Sequence, residues 1–480
     1  MIVIEARHRL GGTWADTGAR EEVRSPADLD RVLGSWPRGG AAEVEAAVAA
    51  AGAALAAWRR LPGPERGQRL FEAAQSLEAH RDELAELAAR EMGKPIGEAR
   101  GEAVRAVALF RYYGGEGSRA VGEVIPSQRA GTLQYTVRVP VGVVGVITPW
   151  NFPLAIPAWK IAPALAYGNT VVFKPAEWST LTAHRLVEIV APHLPDGVLN
   201  MVCGTGAEAG EALVRHEGVH AVTFTGSVGV GRRIAEIALA RGAKYQLEMG
   251  GKNPVIVDAD ADVELAADLT LSGAMRSAGQ KCTATSRAIV LAPVRDAFRD
   301  ALVRRMRELS VGDPLDPATY LGPVVSRPQY DKVLAAIERG RSEGARLVAG
   351  GGPHGGDRRG YFVAPTLFED VAPSMSLFQE EIFGPVLGLT VARDLDEAIS
   401  QANAVRYGLS ASVFTRRLDV ALRCVEELDV GLVRVNEETA GVELQAPFGG
   451  VKASSSHSRE QGRAAIEFFT HVRTVAIRPS

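Results

Sequence analysis

Cysteine is the residue this chain uses least, with three in 480, at Cys203, Cys282 and Cys424. So few and so scattered, they form neither a disulfide framework nor a CxxC metal pair, and they suit a reducing cytoplasm. An excess of one charge is missing too. A net charge of −3 leaves no electrostatic footprint for nucleic acid or an anionic membrane. No window of about 18 residues is uninterruptedly apolar, so no membrane span is expected. The alanine-rich run AAEVEAAVAAAGAALAAW carries glutamates near its start and reads as a surface helix. The opening MIVIEARHRLGG has a short apolar stretch broken by Glu5, which is not the pattern of a signal peptide.

What is present is ordinary for a soluble globular enzyme: 46% hydrophobic and 23% charged residues. The length allows three domains of roughly 150 residues, or two larger ones with a small lobe, and a large core without disulfides. From Ala41 to about Tyr113 the pattern is of amphipathic helices, broken at Pro62-Gly63-Pro64 and near Gly93. Gly122 to Val139 alternates in short runs with a turn signal at Ala130-Gly131, a hairpin pattern. The apolar run PVGVVGVITPWNFPL then suits a fully buried strand. TVVFKP, GVLNMVC, AVTFTG and YQLEM alternate with helical segments, and a second series follows with PVIVDA, AIVLA, VLGLTVA and SASVFT. That alternation predicts an α/β fold with parallel sheets. GGGPHGGDRRG, residues 350–360, reads as a polar surface loop, and FFTHVRTVAI as a closing strand.

Several segments could carry chemistry, each with a plainer alternative. In FTGSVGVGRR, Gly226, Gly229 and Gly231 could let backbone approach a pyrophosphate at a helix N-terminus. The spacing is not GxGxxG, and a tight turn explains it equally. Lys174 and Glu177 of FKPAEWS fall at a strand's C-terminal edge, where α/β sheets bind ligands, or form a solvated pair. A carboxylate there could accept from ribose hydroxyls and repel a 2′-phosphate. HEGVH matches the HExxH zinc pattern, but that chemistry needs both histidines on one helical face. Here Gly218 interrupts and a strand begins at once, so no metal is expected. Cys203 and Cys424 read as core thiols. Cys282, in SAGQKCTATSR, lies among small and polar residues suited to an accessible thiol, with Lys281 or a cationic cofactor as a source of activating field. Glu248 of LEMGGKNP meets apolar neighbours, which raises a carboxylate's pKa toward that of a general base, or it ends a strand in solvent. Asn151 of TPWNFP, between Trp150 and two prolines, could donate to an oxyanion or serve a buried turn.

PWNFP, FKPAEWS, FTGSVGVG, LEMGGKNP, GQKCT, EEIFGPV and PFGGVKASS occur in an order and spacing that resembles the aldehyde dehydrogenase superfamily along nearly the whole chain. The resemblance implies a variant Rossmann cofactor domain (residues 1–121 and 140–249), an α/β catalytic domain (250–453) and a small β oligomerisation lobe (122–139 and 454–480). It implies that Cys282 is the nucleophile and Glu248 the general base. The Asn151 amide and the Cys282 N–H would form the oxyanion hole, and Lys160 with Glu460 would pass a proton away from the base. Lys174, Glu177, Ser227, Glu381 and Phe383 resemble cofactor contacts. The same resemblance extends these to Ile147, Thr148, Pro149, Trp150, Gly206, Phe224, Gly226, Gly231, Met249 and Gly250. Substrate contacts would be Trp159, Lys281, Thr283 and Phe448.

The implied reaction adds the thiolate to an aldehyde, expels hydride to NAD, and hydrolyses the resulting thioester with Glu248 as base, without a metal. NADP is the alternative cofactor, disfavoured by Glu177. Having Glu248 favours hydrolysis over transfer to coenzyme A. Within the family, RVNEETAGVELQAPFGGVKASSSHSREQG with GQKCTATSR is similar to the α-ketoglutaric semialdehyde (2,5-dioxopentanoate) dehydrogenase branch. Trp159 stands where some semialdehyde-specific relatives place an arginine, which points instead to broad aliphatic or aromatic aldehydes. Arg276 or Lys281 could bind a carboxylate. The resemblance further implies a homodimer or homotetramer.

Overall fold

The computed structural model describes residues 3–119, 121–355 and 359–479. Residues 356–358 of the expected 350–360 loop lie outside them, as do the first two residues of the opening segment. One seven-stranded sheet has the strands Leu199–Met201, Thr170–Lys174, Val143–Ile147, Ala221–Thr225 and Lys244–Glu248 side by side and parallel. Counted in chain order, that is a 3-2-1-4-5 arrangement, the doubly wound order of dinucleotide-binding sheets. His8–Leu10 and Thr13–Ala15 extend it antiparallel. The central strands Val143–Ile147, Thr170–Lys174 and Ala221–Thr225 are buried on both faces. Val143, Ile147, Val172 and Val222 pack on one side, and Val144, Val146, Val171 and Phe173 on the other. This is why they read as continuous apolar runs rather than alternating ones.

The helices Ala41–Arg60, Gly63–Ala79, Arg81–Met92 and Ile96–Glu116 cover this sheet. Their breaks fall at Pro62 and at Gly93, which ends a helix at φ 87°. A third break, at His80, carries no Pro or Gly, so the periodicity gives no warning of it. Ala41–Arg60 is long and apolar enough to cross a membrane by composition. Its Val44, Ala47, Val48 and Ala51, on one helical face, are instead buried beside the sheet, and Thr170 Oγ1 donates to the Ala51 carbonyl at 3.0 Å.

The second seven-stranded sheet is centred on Asn253–Val257, Thr285–Leu291 and Ser410–Phe414, all parallel, with Val386–Ala392 and Thr366–Glu369 continuing it. The expected hairpin forms from Val124–Ile125 and Leu133–Pro140, and the closing strand, Thr470–Ile477, pairs antiparallel with the latter over its full length. A three-stranded sheet, Ile4–Glu5, Asp28–Pro37 and Arg20–Ser25, has no counterpart in the sequence reading. Arg20–Ser25 is mostly polar, and Asp28–Pro37 places Leu29, Val32, Leu33 and Trp36 out of strict alternation, so no period-2 pattern marks them. The two large sheets meet so that the C-terminal edge of the first, at Ile147, Lys174, Thr225 and Glu248, faces loops entering the second at Asn253, Thr285 and Val386.

Candidate active site

Cys282 stands on the loop entering Thr285–Leu291. The turn before it is strained: Ser277, Ala278 and Gly279 have φ 54°, 52° and 68°. Left-handed conformations cost on the order of 1–3 kcal/mol each for non-glycine residues, and such strain persists only where neighbours enforce it. At Gly279 a Cβ would stand 2.2 Å from the Gly384 carbonyl oxygen. Distant segments hold the turn. The Ser277 N–H and hydroxyl donate to Glu98 at 2.9 and 2.6 Å. The Val325 N–H donates to Gln280 Oε1 at 3.0 Å, and Asn253 Nδ2 to the Cys282 carbonyl at 2.8 Å.

Access separates the three thiols. Burial pushes Cys203 up to about 12 and Cys424 up to about 11. Cys282 is also pushed up to about 12, by burial first and then by the carboxylates of Glu381 and Glu248, with the N–H groups of Thr283 and Cys282 acting the other way. Yet Cys203 and Cys424 are sealed in the core, while Cys282 is half-buried and lines two cavities. Lys281 is not among the charges acting on it. That side chain is buried toward Glu98, Glu438 and Arg276, and burial lowers its pKa.

Glu248 ends the strand Lys244–Glu248. Ser455 Oγ donates to its Oε2 at 2.5 Å, while its Oε1 is buried without a partner. Burial, followed by the charge of Glu460, holds its carboxyl well above the usual range. Lys160 Nζ donates to Glu460 Oε1 and, at 2.8 Å, to Thr223 Oγ1. Glu460 Oε2 is unpartnered. Asn151 Nδ2 donates to the Gln280 carbonyl at 2.9 Å, which fixes the amide's orientation and leaves its second hydrogen uncommitted. The segment from Ser454 to Gly462 thus runs through the site before reaching the lobe.

One cleft, of about 360 Å³, opens where the strand order of the first sheet reverses, between Val143–Ile147 and Ala221–Thr225. Ligands of such sheets bind there. Ile147, Thr148, Pro149, Trp150, Lys174, Glu177, Gly206, Phe224, Gly226 and Ser227 line it. Lys174 Nζ donates to the carbonyls of Pro175 and Gly204 at 2.6 and 2.9 Å, and burial lowers its pKa. Glu177 accepts from the Gly206 N–H at 3.0 Å. Ser227 precedes the helix Val228–Ala240, whose first turn has no side-chain cap. Its free N–H groups suit a phosphate, so the residues present fit a dinucleotide.

A second cavity, of about 170 Å³, continues from Trp150 and Ser227 to Cys282 along Met249, Gly250, Glu381 and Phe383. Glu381 accepts from the Gly251 N–H at 3.0 Å, and a Cβ on Gly250 would collide with its carboxylate. Phe383, at φ 60°, sets its ring edge-on to Trp150 at 5.4 Å. Gly231 lines neither space. A Cβ there would meet Met249 Sδ at 2.4 Å, so this glycine lets the helix close onto the chain at Met249.

A third cavity, of about 270 Å³, reaches Cys282 and Thr283 past Trp159, Phe448, Phe152 and Ile156. Trp159 and Phe448 stack tilted at 5.6 Å, and Trp159 Nε1 is buried without a partner. Lys281 and Arg276 do not line it; Arg276 lies over the Tyr320 ring at 5.7 Å. Glu98, Glu102, Arg105 and Gln461 do, and the sequence reading missed all four. The signal was available: Glu98, Glu102 and Arg105 follow i, i+4, i+7, a charged stripe with Gly101 beside it on one face of an alanine-rich helix. Trp178 and Arg233 of the first cleft and Ser455 were also missed.

HEGVH splits across elements. His216 follows the short helix Glu211–Arg215 and meets Glu45 at 3.0 Å, while the His220 ring accepts from the Val143 N–H at 3.1 Å. Cys424 is buried on the helix Leu418–Glu427, as its pattern suggests.

Comparison with known proteins agrees with this geometry. The aldehyde dehydrogenase family profile matches residues 14–475. The alpha-ketoglutaric semialdehyde dehydrogenase of Bacillus subtilis (strain 168) is 51% identical over 475 residues, covering 98% of this chain and 97% of that protein. The 2,5-dioxopentanoate dehydrogenase of Saccharolobus solfataricus is 42% identical over 471 residues, 97% of this chain and 98% of its own. The crystal structure of an NAD-dependent aldehyde dehydrogenase from Sinorhizobium meliloti superposes with a TM-score of 0.96 at 38% identity, over 99% of this chain and 96% of that one. The chain belongs to the aldehyde dehydrogenase family and is an oxidoreductase acting on aldehydes.

Proposed function

We propose that the protein oxidises a semialdehyde of the 2,5-dioxopentanoate type to its carboxylic acid, with NAD as the preferred cofactor. The observation that carries this reading is the position of Cys282, the thiol shared by the cavity leading from the dinucleotide cleft and the cavity lined by Trp159 and Phe448. The relatives named for this substrate, at 51% and 42% identity, support the substrate class.

In this reading the Cys282 thiol first gives up its proton to solvent, and the thiolate adds to the aldehyde carbon, whose oxygen becomes the oxyanion. The Asn151 amide and the Cys282 N–H hold the oxyanion, a contribution that typically outweighs other single terms. A nicotinamide dinucleotide, when bound, supplies the acceptor for the hydride released as the adduct collapses. Lys174, Glu177, Ser227, Glu381 and Phe383 would hold that group. The thioester left on Cys282 is cleaved by water, from which Glu248 takes the proton. Burial and the charge of Glu460 raise the Glu248 carboxyl, which strengthens it as a proton acceptor. Glu460 and Lys160, bonded to each other in the buried space beside Glu248, carry the proton away.

NAD is preferred because Glu177 stands in the first cleft, where its charge repels a 2′-phosphate. The two seven-stranded sheets correspond to a cofactor domain and a catalytic domain, and the sheet of Val124–Ile125, Leu133–Pro140 and Thr470–Ile477 to a lobe through which the chain forms a dimer or dimer of dimers. Val124, Leu133, Val472 and Ile477 of the lobe sheet are exposed, which supports that assembly. Three free cysteines suit the cytoplasm.

A screen of NADH formation tests the reading, with 2,5-dioxopentanoate and succinic semialdehyde set against benzaldehyde and hexanal. The two semialdehydes should give the highest kcat/KM. A clear preference for hexanal or benzaldehyde would replace this reading with a broad-specificity one.

A further inference from the structure

Among the charged groups on the wall of the substrate cavity, Arg105 differs from the rest. Glu102 is spent: its Oε1 accepts from the N–H groups of Leu154 and Ala155 at 2.7 and 3.0 Å, and its Oε2 from Lys94 Nζ at 2.5 Å. Glu98 is spent on Ser277 and faces Lys281 and Arg276 across its back. Arg105 is half-buried, and among the described residues it makes no ion pair with a carboxylate. Its polar side-chain partner is neutral: Nη2 donates to Gln461 Oε1 at 2.6 Å. Burial lowers its pKa with no anion to oppose the effect. A guanidinium presents five N–H donors, so most of this one remains uncommitted.

The rest of the cavity cannot use that charge. Phe152, Ala155, Ile156, Trp159, Val442 and Phe448 are apolar and lead to Cys282. A partly desolvated cation facing an apolar passage is costly unless something pairs with it. Gln461 holds the guanidinium in place. It lies at φ 62°, next to Glu460, whose backbone exchanges hydrogen bonds with Phe448 at 2.7 and 2.8 Å, so its position is tied to the cavity wall.

We propose that Arg105 is the anchor for an anionic far end of the substrate, a carboxylate carried on the carbon chain of the aldehyde that Cys282 attacks. The inference rests on the semialdehyde reading above and names the residue that enforces it. It also explains how a site with Trp159 in its wall can favour an acidic substrate. The charge comes from a different helix, Ile96–Glu116, and is positioned by a residue near the C-terminus.

The test compares kcat/KM for 2,5-dioxopentanoate with that for pentanal, a neutral chain of the same length, in the wild type, Arg105→Met and Arg105→Lys. A hydrogen-bonded charge pair is worth roughly a 10- to 100-fold change in affinity. The semialdehyde-to-pentanal ratio should therefore fall by about that factor in Arg105→Met, chiefly through KM, and by less in Arg105→Lys. Glutarate, which lacks an aldehyde, should compete with pentanal in the wild type and lose that ability in Arg105→Met. Because glutarate competition in the wild type needs no variant, its absence alone would overturn the proposal. A wild-type preference for the semialdehyde that survives in Arg105→Met would overturn the role of Arg105 and leave the substrate reading intact. A wild type indifferent to the carboxylate would overturn both.

Discussion

The dinucleotide cleft, by way of the cavity beyond Trp150 and Ser227, and the substrate cavity both lead to Cys282, yet they are built in opposite ways. The cleft is made by ends of consecutive parallel strands, and its position follows from the sheet's strand order. The cavity is assembled from a helix near residue 100, another near 156, a loop at 441–448 and Gln461. The first construction recurs wherever the sheet order recurs, and so fixes the type of reaction. The second depends on which distant segments happen to meet, and so is free to set the substrate.

The largest effect that sharpens the contrast lies where the two spaces join. In the proposed mechanism Asn151→Ala removes a donor that serves the reacting carbonyl whatever the substrate. Turnover should fall by about 10²–10³-fold for semialdehydes and neutral aldehydes alike. A loss confined to one substrate class would move Asn151 out of the shared centre and into the cavity wall.

A smaller effect concerns the thiol. Burial, Glu381 and Glu248 keep Cys282 protonated near neutral pH in the free protein, because its pKa is pushed up to about 12. Alkylation by iodoacetamide should then keep rising as pH increases from 6 to 10. If a positively charged nicotinamide lowers that pKa by one unit, the rate at pH 7.5 should rise about tenfold on adding NAD. A free-protein rate that is flat above pH 7 would show that the thiolate is already formed.

The smallest effect is confined to the cleft. Glu177→Ser should improve kcat/KM with NADP relative to NAD by roughly tenfold, the size expected for one like-charge contact near the surface. It should not alter the ranking of aldehydes. A changed aldehyde ranking would mean that cleft and cavity are less separate than their construction suggests.

The same contrast explains what the sequence revealed. Strands buried on both faces announce themselves, and their C-terminal ends carry Lys174, Glu177, Ser227 and Glu248, so the cleft and the base were legible. Cys282 was singled out by its polar, small-residue neighbours. Aim was not legible. Lys281, adjacent in sequence, is buried under the influence of Glu98 and Glu438, and Gly231 lies tight against Met249. Arg105, some 177 positions from Cys282 in the numbering, could be recognised only as part of a stripe whose destination the local pattern does not encode. The N-terminal strands were missed because Arg20–Ser25 is mostly polar and the apolar residues of Asp28–Pro37 do not alternate, so neither leaves a periodic signal.

The account rests on a division of labour: Cys282 with the oxyanion donors carries hydride release, and Glu248 carries hydrolysis. Glu248→Gln keeps the shape of the site and removes the base. Steady-state turnover should fall by about 10²–10⁴-fold. Rapid mixing with saturating NAD and aldehyde should still give a burst of NADH approaching one per active site, and intact mass should show an acyl adduct on Cys282. Cys282→Ala should give neither burst nor adduct. Full steady-state activity in Glu248→Gln, or a burst that persists in Cys282→Ala, would contradict the assignment.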